Sequence, residues 1–218
     1  MTILAPVSCL GCGAEGAALC GRCLAAAAAG RLSRCFACGR ASAGSRTCGT
    51  CAKTTALAGV SVGGEYEGAV KELILRLKFH RLRTASDPAA ELLCHTAGDW
   101  PRCDIVTSVP VAAGRYRERG YNQSELIARA VARSLDRPYQ PLLGRVTATH
   151  QIGLDRRSRL EQVAGAFYPL SPLAGQTILV IDDVVTTGAT LSECAAVLRR
   201  AGAGVIWGAA VARHTQTT

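Results

Sequence analysis

The chain has 218 residues, of which 25 are Lys or Arg and 16 are Asp or Glu, so that its formal net charge is +9. Hydrophobic residues make up 49% of the chain, which is enough for a packed core and excludes global disorder. The length suits one α/β domain with a small additional module. A positive balance fits a nucleic acid partner or an anionic small ligand, and composition does not decide between them.

No run of residues approaches the roughly 20 apolar positions that a membrane-spanning helix needs. The longest apolar run, at residues 24–29, is short and rich in alanine. The start of the chain, MTILAPVSC, has neither the basic segment nor the long apolar segment of a signal peptide. We therefore expect a cytoplasmic protein without a membrane span, in which cysteines seldom form structural disulfides.

Eight of the 11 cysteines precede residue 52 and form four C-x-x-C pairs. They are Cys9, Cys12, Cys20, Cys23, Cys35, Cys38, Cys48 and Cys51. A C-x-x-C turn brings two thiolates to one ion, and two such pairs complete a tetrahedral four-cysteine zinc site. The spacing therefore predicts two structural zinc sites. Pairing of neighbouring C-x-x-C units is the simplest assignment, and a cross-braced arrangement is the alternative.

The middle of the chain contains two amphipathic helices and a strand. Apolar residues at helical spacing from Val70 to Leu77 predict a helix that places Lys78 at its end. Residues 104–109 read as a strand that ends in Val-Pro, and a second apolar stripe predicts a helix over residues 123–135.

Residues 178–202 are predicted to form a strand, a loop and a helix. Residues 178–181 form an apolar run typical of a strand buried on both faces of a parallel sheet, and two acids follow it. Thr190 and Glu193 have the T-x-x-E spacing of a capping box, and Gly202 is placed to end the helix. A late strand at residues 205–211 carries Trp207, which we expect in the core.

The loop in this segment predicts an anion site. Its backbone amides and the start of the helix point toward one place, Gly188 permits a close approach, and threonine hydroxyls add donors. Asp182 and Asp183 suit ribose hydroxyls or a hydrated Mg²⁺ beside the anion. An ordinary βα turn explains the glycine, but not two acids followed by this loop. The loop residues are Thr186, Thr187, Gly188, Ala189 and Thr190.

These thirteen positions resemble the signature of type I phosphoribosyltransferases: four apolar residues, Asp-Asp, two apolar residues and Thr-Thr-Gly-Ala-Thr. The resemblance implies that Asp182 and Asp183 act in catalysis by contacting the ribose 2′- and 3′-hydroxyls of phosphoribosyl pyrophosphate. It also implies that residues 186–190 hold the 5′-phosphate.

The whole chain is similar to the ComF family, in which a cysteine-rich zinc module precedes a phosphoribosyltransferase domain. The similarity also rests on Tyr66-Glu67-Gly68, on Val109-Pro110 with Arg119-Gly120-Tyr121-Asn122-Gln123, and on Gln151, Leu154, Arg159 and Gly165-Ala166-Phe167. Gln162 departs from the family's usual Asn. The resemblance implies that the loop after residues 104–109 binds pyrophosphate. The residues that we predict to contact the pyrophosphate are Val109, Pro110, Lys78, Arg115 and Arg119.

Three basic clusters, at residues 76–83, 115–119 and 145–159, carry net charges of +4, +2 and +3, which together equal the formal excess of the whole chain. Each cluster has an ordinary interpretation as a solvated surface. The family resemblance instead places them near a phosphate site.

We therefore expect a mostly parallel α/β sheet flanked by helices, with a small N-terminal zinc module and a ligand at the carboxyl ends of the strands. The expected divisions are a zinc module at 1–53, a connecting or hood segment at 54–100 and a phosphoribosyltransferase-like domain at 101–218.

The favoured function is a Mg²⁺-dependent phosphoribosyltransferase that binds phosphoribosyl pyrophosphate, and the family implies a link to DNA uptake. The signature does not specify the acceptor. One alternative is a competence factor that works with single-stranded DNA or a competence helicase. The other is a regulator that senses the phosphoribosyl ligand without turnover.

Overall fold

The computed structural model describes residues 7–29, 34–79, 82–96, 100–146 and 165–214. The strands are β1 (Gly59–Glu65), β2 (Ile105–Ser108), β3 (Leu143–Arg145), β4 (Phe167–Pro169), β5 (Ile178–Val185) and β6 (Ile206–Arg213). The α-helices are α1 (Gly21–Ala29), α2 (Gly68–Phe79), α3 (Ser86–His95), α4 (Ala113–Arg119), α5 (Gln123–Ser134) and α6 (Ala189–Arg200). Short 3₁₀ turns lie at Ala43–Ser45, Cys51–Lys53 and Arg83–Ala85.

The central sheet has four strands in the order β1-β6-β5-β2, and every neighbouring pair is parallel. The expected parallel α/β fold is therefore confirmed. Strands β3 and β4 form a separate antiparallel pair. Because the carboxyl ends of parallel strands share one edge of a sheet, the segments that follow β2 and β5 lie at the same edge.

Alternate residues of β5 pack on opposite faces of the sheet. Leu179 and Ile181 join a buried cluster with α2, α3 and α5. Ile178 and Val180 join the second cluster, which contains α6 and the β3–β4 pair. Helices thus cover both faces, which explains why β5 is a continuous apolar run rather than an alternating one.

The predicted elements form with small differences at their ends. Strand β5 continues through both acids to Val185 instead of stopping before them. The predicted capping box is wrong: α6 begins at Ala189, after Gly188 with φ 77°, and the Glu193 carboxylate instead accepts the Gly165 amide at 3.1 Å. The helix ends before Gly202, whose φ is 105°.

Some predicted features lie outside the described residues. These are most of the 145–159 basic cluster and the family positions Gln151, Leu154, Arg159 and Gln162. Within the described residues, no helix is both long enough and apolar enough to cross a membrane.

Trp207 is fully buried in β6, as expected, and its indole lies across the neighbouring strand β1. Its Nε1 donates a hydrogen bond to the Ser61 hydroxyl at 3.2 Å. Gly59 is its partner in register, and a Cβ added there would lie 2.4 Å from the indole ring. The strand pair therefore needs glycine at this position.

We predict that Gly59→Ala lowers the free energy of unfolding by about 1–3 kcal/mol, because the buried indole has no room to move. Urea denaturation of the zinc-loaded protein measures this. Gly114→Ala is the control, because a Cβ there meets nothing within 4 Å. Equal stabilities for Gly59→Ala and the wild type would contradict this packing.

Candidate functional site

The eight N-terminal cysteines gather into two groups of four. Within each group, the sulfur atoms lie within 4.8 Å of one another. The groups follow chain order: the first lobe (residues 9–23) holds one and the second lobe (residues 35–51) holds the other. The arrangement is therefore sequential and not cross-braced. Four thiols in such a cluster fit a tetrahedral zinc ion and leave no position for a water ligand, as in a structural site.

The two lobes repeat the same backbone turn. In each, the amide of the first cysteine donates to a carbonyl five residues later, and a glycine four residues later donates back, all at 2.8 Å. These glycines, Gly13 and Gly39, have φ 76° and 72°, which favours glycine. The internal repeat in the sequence is thus a repeat in structure.

Hydrogen bonds shift the pKa values of two first-lobe cysteines, Cys9 and Cys23, in opposite directions. The Cys20 amide donates to Cys9 Sγ at 3.3 Å, and this bond, with others from nearby amides, lowers the pKa of Cys9 to about 6. The Cys23 thiol hydrogen-bonds to Cys20 and Cys12, which raises the pKa of Cys23 to about 12. A Zn²⁺ ion would favour the deprotonated form of all four thiols, so zinc binding should release protons.

The carboxylate of Asp183 lies at the centre of the second site. It is only 6% exposed, and its Oδ2 accepts from Gln123 Nε2 at 2.7 Å and from Lys78 Nζ at 3.1 Å. Lys78 comes from the end of α2 and Gln123 from the start of α5. The sequence therefore placed Lys78 correctly at a helix end, and the structure pairs it with a predicted ribose-binding acid.

Asp182 faces a different set of groups. Its Oδ1 accepts from the Ser124 hydroxyl at 3.1 Å and from the backbone amide of Asp183 at 2.9 Å. Burial raises the pKa of Asp182 to about 7, and the negative charge of Asp183 adds to this, although the two hydrogen bonds oppose it. One acid of the pair therefore ionises near neutral pH, while the other is paired with a cation.

Three buried polar residues at the start of α5 connect the two strands. The Asn122 side chain caps the helix by accepting the Ser124 amide, and it donates to the Val109 carbonyl at 2.9 Å. Gln123 and Ser124 hold the two acids as described above. The sequence identifies Asn122 and Gln123 only as positions of family resemblance and does not single out Ser124, although a run of polar residues that opens an apolar helix is a usable signal.

The 186–190 loop follows β5 directly. Gly188 is buried in the left-handed conformation and forms the N-cap of α6, while Thr186 and Thr187 are exposed. The Ala189 amide, at the start of the helix, is 3.4 Å from the Thr187 hydroxyl, and Thr190 is half-buried in the first turn. The loop and the start of a 12-residue helix thus place backbone amides beside exposed threonine hydroxyls, a donor set that suits a phosphate group.

The predicted pyrophosphate loop follows β2. Val109 is buried and its amide donates to Ile181 of β5, while Pro110 is half-buried. Arg115 is exposed on α4. From the sequence, Arg145 of β3 is only a member of a basic cluster, but in the structure its Nη1 is 3.5 Å from the Pro110 carbonyl oxygen. Burial lowers the pKa of Arg145, and the nearby positive charge of Arg115 lowers it further.

Arg119 is unusual because its guanidinium is buried. The residue is 7% exposed, and its Nε and Nη1 atoms have no hydrogen-bond partner among the described residues. Its guanidinium lies over the Phe79 ring, 5.5 Å from the ring centroid. Buried donors without partners carry a free-energy cost, so this side chain is a candidate for contact with an anion.

The described residues do not form a magnesium site of their own. Only the two cysteine groups bring together three or more metal-binding side chains in this part of the chain. One carboxylate oxygen of Asp182 accepts a hydrogen bond from Ser124, and one of Asp183 is paired with the Lys78 cation. A Mg²⁺ ion would therefore need further oxygen ligands from a bound molecule.

Comparison with known proteins connects this site to a family. The profile described as "Phosphoribosyl transferase domain" matches residues 122–218. "DNA utilization protein YhgH" of Salmonella typhimurium is 33% identical over 191 residues, which cover 81% of this chain and 82% of that protein. For the same protein of Salmonella typhi, the match is 33% over 150 residues and spans 65% of this chain and 66% of the relative.

Two further comparisons concern a competence protein and a solved structure. "Competence protein F" of Haemophilus influenzae is 31% identical over 160 residues, covering 67% of this chain and 70% of that protein. Among solved structures, glutamine phosphoribosylpyrophosphate amidotransferase from B. subtilis, complexed with ADP and GMP, is 21% identical with a TM-score of 0.40 and covers 60% of this chain and 26% of that one.

We predict that the purified chain binds two zinc ions, one in each cysteine group. Cys12→Ala and Cys38→Ala, which alter exposed ligands of different groups, should each lower the zinc content from two to one per chain. Metal analysis by mass spectrometry measures this. Loss of both ions from either variant would contradict two independent sites.

We also predict a pH-dependent stability effect at Asp182. Because its folded pKa is raised above the ordinary 3.8, the folded protein holds this proton longer than the unfolded chain does. The stability contributed by this carboxyl therefore falls as the pH rises from about 4 to about 7. The wild type should lose this contribution as the pH is raised, whereas Asp182→Asn has no such proton to lose. From about pH 6 to about pH 8.5, the unfolding free energy of Asp182→Asn should therefore rise by about 1 kcal/mol relative to that of the wild type.

Urea denaturation at both pH values tests this prediction. Asp136→Asn is the control for the change in net charge, because Asp136 is exposed and has φ 52°, a conformation that Asn adopts readily. If the difference in unfolding free energy between Asp182→Asn and the wild type is the same at both pH values, the raised pKa of Asp182 is contradicted.

Proposed function

The chain belongs to the ComF family, and from this premise we propose that it binds phosphoribosyl pyrophosphate at the edge of the sheet formed by the ends of β2 and β5, and transfers the phosphoribosyl group to an acceptor. It spans 66% of the length of the Salmonella typhi relative. The observation that carries the proposal is that one helix start, at residues 122–124, holds both acids of β5 and the end of β2.

The 5′-phosphate is assigned to the 186–190 loop and the start of α6. The loop offers backbone amides, and the threonine hydroxyls add neutral donors. No acidic residue lies in the first turn of α6, so the helix dipole there is available to an anion. The amide and hydroxyl donors support a phosphate monoester rather than a cation.

The ribose hydroxyls are assigned to Asp182 and Asp183. Lys78 neutralises Asp183, so the acid pair does not carry two unopposed negative charges. Ribose hydroxyls donate hydrogen bonds and can replace part of this pairing. Lys78 would then be free to move toward the pyrophosphate, which is the contact that we predict for it from the sequence.

The pyrophosphate is assigned to the Val109–Pro110 loop and to Arg115 and Arg119. The unpartnered donors of Arg119 support this assignment, because a phosphate oxygen would satisfy them. Magnesium is part of the proposal as an ion whose remaining ligands come from the pyrophosphate.

The reaction breaks the bond between ribose C1 and the pyrophosphate oxygen, and pyrophosphate leaves with the electron pair. A new bond forms between C1 and an electron pair of the acceptor, whose proton passes to pyrophosphate or water. The chain's own contribution is to position the donor and to stabilise the charge that develops on pyrophosphate, through its basic side chains.

Single-stranded DNA is the second candidate partner. The names of the relatives, which refer to DNA utilization and competence, favour it. The exposed arginines of α4, Arg115 and Arg117, could neutralise backbone phosphates. Binding of this kind would fall steeply with salt and would not depend on Asp183.

We predict that the zinc-loaded protein binds phosphoribosyl pyrophosphate in the presence of Mg²⁺, and that Asp183→Asn weakens this binding by about tenfold or more. The amide removes the charge that opposes Lys78 and one acceptor for a ribose hydroxyl. Isothermal titration calorimetry measures this.

Asp87→Asn is the matched control, because it also breaks an ion pair, with Arg133, but on the exposed faces of α3 and α5. Absence of binding to the wild type would contradict the proposal. Salt-sensitive binding of an oligonucleotide, unchanged in Asp183→Asn, would favour the second candidate.

A further inference from the structure

We propose that Phe36 of the second lobe is a positioning residue for the 186–190 loop, and that zinc in this lobe thereby sets the affinity of the site for the 5′-phosphate. The inference rests on the proposed function for its ligand. It adds a physical connection between the cysteine-rich module and the sheet edge, through one side chain.

The connection is a direct contact between an aromatic ring and the loop glycine. A Cβ added to Gly188 would lie 2.7 Å from Phe36 Cδ2 and 2.9 Å from Cε2, so the ring occupies the space beside the glycine backbone. Phe36 packs against the buried cluster that contains Val185 and Leu191, which flank the loop on either side. The ring therefore supports the loop from its inner side.

The loop needs such support because of its own sequence. Gly188 has φ 77°, and glycine is the residue with the greatest backbone freedom. Thr186 and Thr187 are exposed, so little else packs against this part of the loop. A loop that is held in its binding conformation before the ligand arrives avoids the entropy cost of ordering it on binding.

The cysteine group fixes where the ring lies. Phe36 stands between Cys35, which is fully buried, and Cys38, and both belong to the second group of four. On the other side of this lobe, Thr47 precedes the third cysteine. Its amide and hydroxyl donate to the carbonyls of Ala58 and Leu57, at 2.9 and 2.6 Å, just before β1. The lobe is thus attached to the sheet, and zinc would make it rigid between the two attachments.

The first lobe provides a natural comparison. Leu10 occupies the same place in its C-x-x-C turn as Phe36 does in the second lobe. Leu10 packs against the other buried cluster, with α2 and α3, on the opposite face of the sheet. The two lobes therefore share a backbone turn, but only the second touches the 186–190 loop through this position.

The first test needs no ligand. Hydrogen exchange of the zinc-loaded full chain, followed by mass spectrometry, should show faster exchange of the amides at residues 186–190 in Phe36→Ala than in the wild type, by about tenfold. Leu10→Ala should leave these amides unchanged, and Phe36→Leu should have a smaller effect than Phe36→Ala. None of these variants removes a cysteine, so the zinc content should stay at two ions per chain.

The second test measures binding by calorimetry. Phe36→Ala should bind ribose 5-phosphate about tenfold more weakly than the wild type does, while its affinity for pyrophosphate alone stays the same. Phe36→Leu should recover part of the loss, and Leu10→Ala should match the wild type for both ligands.

The outcomes separate this inference from the proposed function. Unchanged exchange at residues 186–190 in a zinc-loaded Phe36→Ala protein would overturn the inference, whatever the ligand. The inference would also be overturned if Phe36→Ala lost as much affinity for pyrophosphate as for ribose 5-phosphate, or if Leu10→Ala lost as much affinity as Phe36→Ala. Either result would mean that the substitution disturbs the fold as a whole. If the wild type binds neither ligand, but the amides at residues 186–190 exchange faster in Phe36→Ala than in the wild type, the proposed function is wrong. The contact through which Phe36 positions the loop would then still be supported.

Discussion

The buried carboxylate of Asp183 is the group on which the rest of the site depends. A charge that is 6% exposed needs partners, and it receives a cation from α2 and an amide from α5. These contacts draw two helices to the end of β5. The preceding residue, Asp182, is also an acid, so the start of α5 must supply hydrogen bonds to both carboxylates. Ser124 supplies the one to Asp182.

This constraint extends to the neighbouring strand and to the cysteine-rich lobes. Asn122, one residue before the helix that holds the acids, donates to the carbonyl at the end of β2, so the start of α5 links the ends of β2 and β5. The second lobe approaches the same edge from the side of β1, where Phe36 meets Gly188. The site is therefore assembled from segments that are far apart in the chain.

Much of this arrangement could be predicted from the sequence. The C-x-x-C repeat located the two cysteine groups, and the apolar run before the two acids located β5, because both signals are local. The prediction of a capping box at Thr190 was wrong because Gly188, in the left-handed conformation, is the N-cap, two residues earlier, and the Glu193 carboxylate accepts the Gly165 amide instead. The pairing of Lys78 with Asp183 and the contact of Phe36 with Gly188 join distant segments, and no local pattern encodes them.

We propose that the carboxyl ends of β2 and β5 bind a phosphoribosyl donor. The most direct measurement is a crystal structure of the zinc-loaded protein with phosphoribosyl pyrophosphate and Mg²⁺. Our account predicts the 5′-phosphate on the amides of residues 186–190, the ribose hydroxyls on Asp182 and Asp183, and the pyrophosphate beside Arg119. A donor bound elsewhere on the chain, or a fully formed site that stays empty at saturating donor, would contradict it.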